Sequence, residues 1–180
     1  SKVSPDAFHD PIIVENTDGT FTLFSSYLGT YKCGLYFLGG IWGLSQIISI
    51  NISASGALLS NSSYPEECEL ALQSAVRLSD NRFAVLAIYN DISYWDILEN
   101  RLYVMDKDLT IHDSLNIFIG DMNSSQLFIN KNNELVLVYS DVDSIRKMNV
   151  YDTELNLLRS YSTPDLMQSC FSRPFTDNAI

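Results

Sequence analysis

The chain has 180 residues, of which 46% are hydrophobic and only 18% charged, and it carries a net charge of −11. That length allows one domain that buries roughly 70% of its unfolded surface, and the apolar content excludes a disordered polymer. Eleven Lys and Arg spread through the whole chain exclude a phosphate-binding basic patch, so no nucleic acid is expected as partner.

In chain order, the first clear element is a hairpin. Ile12-Ile13-Val14 leads into the turn Thr17-Asp18-Gly19-Thr20, and Phe21-Thr22-Leu23-Phe24 leaves it. The stretch from Cys33 to Pro65 then contains no charge. Four glycines, Ser45 and Gln46 interrupt its apolar part, so it is read as two buried strands around Gly39-Gly40 and not as a membrane span of about 20 apolar residues. Ile47-Ile48-Ser49-Ile50 with Ala57-Leu58-Leu59 reads as a second hairpin. Glu66, Glu67 and Glu69 around Cys68 read as a solvated acidic linker.

The next unit is clearer. Ala75-Val76-Arg77-Leu78 enters the turn Ser79-Asp80-Asn81-Arg82, and the run Phe83 to Tyr89 is continuous in apolar character, as in a strand covered on both faces. Asp-Asn and Asp-Gly pairs tolerate positive φ, which predicts a tight two-residue hairpin. A polar loop with Asp91, Tyr94, Trp95 and Asp96 follows. Arg101 to Met105 then forms a third strand, Asp106-Lys107-Asp108 a turn, and Leu109-Thr110-Ile111 the start of a fourth strand. The third unit repeats this order: Gln126 to Ile129, a turn at Asn132-Asn133, Leu135 to Tyr139, a loop Ser140-Asp141-Val142-Asp143-Ser144, Lys147 to Tyr151, the turn Asp152-Thr153-Glu154, and a strand from Leu155. Val104-Met105-Asp106-Lys107-Asp108-Leu109 matches Val150-Tyr151-Asp152-Thr153-Glu154-Leu155 position for position.

The first turn thus returns as Ser79-Asp80-Asn81-Arg82-Phe83, as Lys131-Asn132-Asn133-Glu134-Leu135, and as Thr176-Asp177-Asn178-Ala179-Ile180. Phe8-His9-Asp10-Pro11-Ile12 likewise resembles Phe171-Ser172-Arg173-Pro174-Phe175. A period of roughly 40–60 residues built from hairpins predicts a bladed or stacked β architecture. The expected organisation is one β-repeat domain over residues 1–180, with units at roughly 8–64, 70–118 and 124–162 and a partial unit at 168–180.

Four antiparallel strands per unit, with Asp-Gly or Asp-Asn turns and the Asp-x-x-Leu element, resemble the degenerate blade repeats of bacterial cell-surface and periplasmic β-propellers. The resemblance covers most of residues 10–180 and rests on short motifs. Trp95-Asp96 falls in a loop and not where a WD dipeptide stands, and the Ser-x-Asp-x-Gly-x-Thr-Trp box of sialidases is absent. The fold class expected is all-β, a propeller-type repeat of four-stranded antiparallel blades, about three blades and the start of a fourth. The resemblance implies an exported, periplasmic or surface protein, completed by further blades or a protein partner. The sequons at Asn51, Asn61 and Asn123 agree with export.

No G-x-S-x-G, phosphate-cradling glycine loop or H-E-x-x-H motif is present. His112 reads as a surface residue. Cys33, Cys68 and Cys170 have no metal-ligand spacing, and Cys33 with Cys68 is the candidate disulfide. In a propeller, the loops between second and third strands gather on one face, which would bring Asp91, Tyr94, Trp95 and Asp96 towards Asp141 and Asp143. Such carboxylates suit a Ca²⁺ ion or a sugar, and Tyr94 and Trp95 suit stacking on a carbohydrate ring. The same residue types also favour turns and strand ends. The function expected is a binding or scaffold module without a catalytic motif. Its alternatives are a carbohydrate-active enzyme using loop carboxylates, or a structural subunit of an extracellular assembly.

Overall fold

A computed structural model describes residues 8–27, 46–64, 70–90, 98–117, 119, 121–141, 143 and 145–163. These residues form twelve strands and no helix. The first sheet comprises β1 (Phe8–Glu15), β2 (Phe21–Tyr27), β3 (Gln46–Ile52) and β4 (Leu58–Tyr64). The second comprises β5 (Leu70–Arg77), β6 (Phe83–Asn90), β7 (Leu98–Met105) and β8 (Ile111–Ile117). The third comprises β9 (Asp121–Ile129), β10 (Leu135–Ser140), β11 (Arg146–Tyr151) and β12 (Leu157–Thr163). Each sheet is an antiparallel meander in chain order, and none is closed.

Strand position follows composition. In the second and third sheets the second strand carries the most apolar run, because neighbours cover both of its edges and, in the second sheet, both faces. In β6, Phe83, Ala84, Val85, Leu86 and Ala87 are all buried, and all six residues of β10 are buried. The fourth strand of the first sheet, Leu58–Tyr64, alternates between exposed and half-buried instead. Pro11, which has no amide proton to give a ladder, lies on edge strand β1 beside an irregularity between His9 and Ile12.

The alternation of side chains divides each sheet into a face towards the preceding sheet and a face towards the following one. Phe24 and Ile47 of the first sheet pack with Phe83, Val85, Tyr103, Met105 and Leu109 of the second. The rings of Phe24 and Phe83 meet edge to face, 5.0 Å between centroids. On its other face the second sheet packs Leu86, Leu102 and Val104 with Leu135, Leu137, Tyr139 and Leu155 of the third. β5 lies against both β1 and β9, so the first strands of the three sheets are neighbours. The remaining face of the third sheet bears Val136, Val138 and Val150 with Phe128, a buried cluster drawn from that sheet alone.

The turns differ from the two-residue hairpin that their Asp-Gly and Asp-Asn pairs predict. In all seven described hairpin turns the first residue's amide donates to the carbonyl of the fifth, as from Asn16 to Thr20, Leu78 to Arg82 and Asp152 to Asn156. In six of them the fourth residue's amide also returns to the first residue's carbonyl. The fourth residue alone is left-handed: Gly19 (φ 77°), Gly56 (84°), Asn81 (65°), Leu109 (65°), Asn133 (60°) and Leu155 (58°). This is a type I turn closed by a left-handed bulge residue, the usual three-residue hairpin loop. Asp18 and Asp80 serve it as side-chain acceptors, not as positive-φ residues. Leu109 and Leu155, expected to begin strands, are therefore turn residues, and β8 and β12 start two positions later. Their apolar character reflects burial in the inter-sheet cores, which in sequence is indistinguishable from a strand start.

Candidate functional site

An antiparallel meander sends the connections between strands 1–2 and 3–4 to one end of each sheet and the connection between strands 2–3 to the other. The first end consists of the six compact turns that carry a left-handed fourth residue. It is held across sheets by side chains: Thr17 Oγ1 donates to Asn81 Oδ1 at 2.7 Å, and Asn133 Nδ2 to Ser79 Oγ at 2.7 Å. Arg82 reaches Glu154 of the third sheet at 2.6 Å while holding Asp80 of its own turn at 2.6 Å. These ion pairs keep both carboxyls below their ordinary range. For Glu154 the Arg82 hydrogen bond is the main cause; for Asp80 partial burial opposes the effect of the Arg82 amide and guanidinium. A buried polar seam also joins the first two sheets. Ser49 Oγ donates across to the Lys107 carbonyl at 2.5 Å, and within the first sheet Thr22 Oγ1 donates to Asn51 Oδ1 at 2.8 Å. That end is a rigid scaffold whose polar atoms satisfy one another.

The second end carries the connections 28–45, 91–97 and 141–145. Both tryptophans of the chain, Trp42 and Trp95, belong to these connections in sequence. Asp91, Tyr94, Trp95 and Asp96 fall outside the described residues, as do Cys33, Cys68, Cys170, the stretch read as two strands around Gly39-Gly40, and the fourth turn at Thr176–Ile180. Asp141 and Asp143 are described. Asp141 is buried, and its Oδ1 accepts the amides of Asp143 at 3.0 Å and Ile145 at 2.9 Å. Its Oδ2 pairs with Lys147 Nζ at 2.7 Å. The Lys147 ammonium, then the Ile145 amide, hold the Asp141 carboxyl below its ordinary value, and the same pair holds Lys147 above its own. Asp143 is exposed. The Asp141-x-Asp143 spacing thus closes a turn, with one carboxylate committed to the backbone and the other facing outward.

One residue at this end was not legible in the sequence. Asn100, third residue of β7, has no exposed surface, and neither its Oδ1 nor its Nδ2 has a hydrogen-bond partner among the described residues. It pairs in register with Ile88 of β6 and Ile117 of β8, next to the start of β7 where the 91–97 connection enters. An unsatisfied buried amide costs about 1–3 kcal/mol, and an isosteric Leu at this position carries no such cost. A single Asn in an apolar strand has no sequence pattern that marks it.

In the third sheet a different polar group is fully satisfied. Asn149 Nδ2 donates to Tyr151 OH at 2.9 Å and to Tyr139 OH at 3.2 Å, and Ser160 Oγ donates to Asn149 Oδ1 at 2.7 Å. Burial raises the Tyr151 phenol above its ordinary value. His112 lies exposed on β8 with Asp106 Oδ2 3.9 Å away, a surface contact. No group of three or more His, Cys, Asp or Glu is placed to hold a metal among the described residues, and no helix there is long and apolar enough to cross a membrane. No protein-family model matches the chain, and no curated protein matches it as a relative.

Proposed function

We propose that the chain is a propeller-type binding module of an exported or surface protein, with its ligand face at the end formed by connections 28–45, 91–97 and 141–145. The observation that carries this reading is the contrast between the two ends of the sheets. One end is locked by compact turns bonded across sheets, whereas the other holds the two longest connections within a sheet, both tryptophans and the buried Asn100, unpaired among the described residues. Rigid sheets with longer loops at one end are the common design for recognition. The residue types available there (Asp91, Tyr94, Trp95, Asp96 and the outward Asp143) fit a carbohydrate, through ring stacking and carboxylate acceptors, with Ca²⁺ as an oxygen-bound auxiliary.

A glycosidase reading fits less well. Asp141, bound by two amides and Lys147, is held ionised and is a poor proton donor at neutral pH. Its environment is that of a turn residue.

Tryptophan fluorescence tests the proposal, because both indoles belong to connections at the proposed face. Titration with soluble oligosaccharides, with and without Ca²⁺, is expected to shift the emission saturably, and Asp143→Asn or Trp95→Ala to weaken the binding. Absence of a saturable shift across neutral, acidic and sulfated glycans rejects the carbohydrate reading.

A further inference from the structure

The three sheets share one register, set by their first turns. Phe21, Phe83 and Leu135 each follow the fifth residue of that turn, and each pairs with the last residue of the third strand, Ile52, Met105 and Tyr151 respectively. Two positions further along, Leu23, Val85 and Leu137 pair with Ile50, Tyr103 and Asn149. Paired residues of an antiparallel ladder share a face. In the second and third sheets these positions look towards the preceding sheet, and every one of them is buried.

In the first sheet the same positions are all apolar, but they are not covered in the same way. Phe21, Leu23, Ile50 and Ile52 are only half-buried. Ile13, opposite Leu23, is 65% exposed, and Leu58, opposite Ile52, is 64% exposed. The sheet's other face is the one packed on the second sheet through Phe24 and Ile47. Among the described residues the outer face bears a single charged side chain, Glu15, at its margin on edge strand β1. Water thus reaches an apolar sheet face whose counterparts in the next two sheets are both interfaces. A contiguous exposed apolar patch of this kind marks a protein contact.

The rest of the molecule restricts how a second copy can meet that face. The far face of the third sheet is already filled, since Val136, Val138 and Val150 are buried. Head-to-tail stacking of copies therefore lacks an open seat among the described residues. The first sheet's outer face can meet its own counterpart, as two sheets meet in a sandwich with inner faces about 10 Å apart. Four strands about 4.8 Å apart and two to three residue pairs along them give a patch roughly 20 Å by 15–20 Å. Two such patches remove on the order of 1,000 Å² from water, the lower bound for a specific interface.

We propose that the outer face of the first sheet is a dimer interface, packed about a two-fold axis on the same face of a second copy. Such an isologous contact closes at two copies and does not propagate into a filament. Its modest area gives a reversible dimer of roughly micromolar affinity. The proposal does not rest on the ligand reading and is tested apart from it.

Sedimentation equilibrium of the full chain over a wide concentration range tests it. The expected mass rises with concentration from that of one chain and levels off at that of two. Ile13→Asp and Leu58→Asp, on different strands and at exposed positions, should each weaken the dimer at least about tenfold, because each places two unpaired charges in the interface. Leu157→Asp is the control: Leu157 holds the place of Leu58 in the third sheet, is 56% exposed, and should leave the dimer intact. Thermal melts confirm that each variant is folded. A single-chain mass at millimolar concentration, a mass that grows past two copies, or a dimer undisturbed by both first-sheet variants overturns the proposal.

Discussion

Leu109 and Leu155 hold the same place in the same turn of successive sheets, both left-handed at φ 65° and 58°, and both buried in the core shared with the sheet before. A left-handed Leu costs about 1–2 kcal/mol of backbone strain, and full burial of its side chain contributes about 1.5–3 kcal/mol. Burial wins narrowly. Leu109→Ala keeps the strain and loses the contact, so it should destabilise by about 2–5 kcal/mol. Leu109→Gly loses the same contact and relieves the strain, so it should be the milder change by about 1 kcal/mol. In an ordinary strand the order is reversed, so urea denaturation of the two variants decides between a turn and a strand start.

The glycines of the first sheet make the converse case. A Cβ at Gly19 or Gly56 meets no atom within 4 Å, so only the backbone conformation resists substitution. Gly19→Asn should be almost neutral, since Asn81 and Asn133 already adopt this φ. Gly19→Val should cost at least about 1 kcal/mol, because a β-branched residue is strained there. Equal melting temperatures for the two variants contradict the left-handed assignment.

Asn100 gives a prediction of opposite sign. Asn100→Leu removes two buried polar atoms, unpaired among the described residues, at nearly constant volume, and stability should rise by about 1–3 kcal/mol. If Asn100 serves the binding end, the same variant also weakens the oligosaccharide-linked fluorescence change. A stabilised variant with undiminished binding removes Asn100 from the site.

Asp141 separates charge from geometry. Asp141→Asn keeps the Oδ1 acceptor for the Asp143 and Ile145 amides and loses only the Lys147 ion pair, whereas Asp141→Ala loses both. The alanine variant should therefore lower the melting temperature clearly more than the asparagine variant. Lys147→Met should match the asparagine variant. Equal loss in all three means that the ion pair, and not the pair of turn bonds, holds this corner together.

Acid should unfold the protein through its turns. Asp18, Asp80, Asp141 and Asp152 lie below the ordinary Asp value of 3.8, and Glu134 and Glu154 below the Glu value of 4.5. The causes are turn amides and side-chain donors such as Thr20, Lys147, Asn156, Asn130 and Arg82. With folded values below unfolded ones, the unfolded chain binds protons first. Their stabilisation is present above pH 4.5 and is lost as pH falls through the folded values. At the alkaline end the raised Tyr151 value acts the other way: its contribution is present below pH 10 and is lost as pH rises beyond it. Thermal melts between about pH 2 and 11 should show a plateau bounded by those two losses. Undiminished stability at about pH 3 contradicts the turn pairing.

The second strands of the second and third sheets were legible in the sequence because they are apolar on both faces, and Phe83 to Ala87 and Leu135 to Val138 have no polar side chain to mislead. The turn positions were legible because Asp and Gly mark them, although their type was not. The sequence shows an Asp-Asn pair, but only the bond from the Leu78 amide to the Arg82 carbonyl shows where the loop closes. Leu109 and Leu155 mislead because an apolar residue after a polar turn has the same pattern whether it begins a strand or fills a core. For the candidate site, Asp141 was visible as a residue type, but its capture by Lys147 depends on β11 running back alongside β10. Asn100 was invisible, since burial and lack of a partner are both properties of tertiary packing.

The meander order of each sheet bears on how the chain reaches this state. Every strand in a sheet pairs with its neighbour in sequence, so almost all pairing is closed over short loops. Such a low contact order favours rapid formation, each hairpin zipping from its own turn before the sheets meet. A sheet newly emerged during synthesis can complete its ladder without waiting for later chain. Only the apolar faces must wait, and the interval during which they stand bare, not the pairing itself, sets the hazard of misassembly.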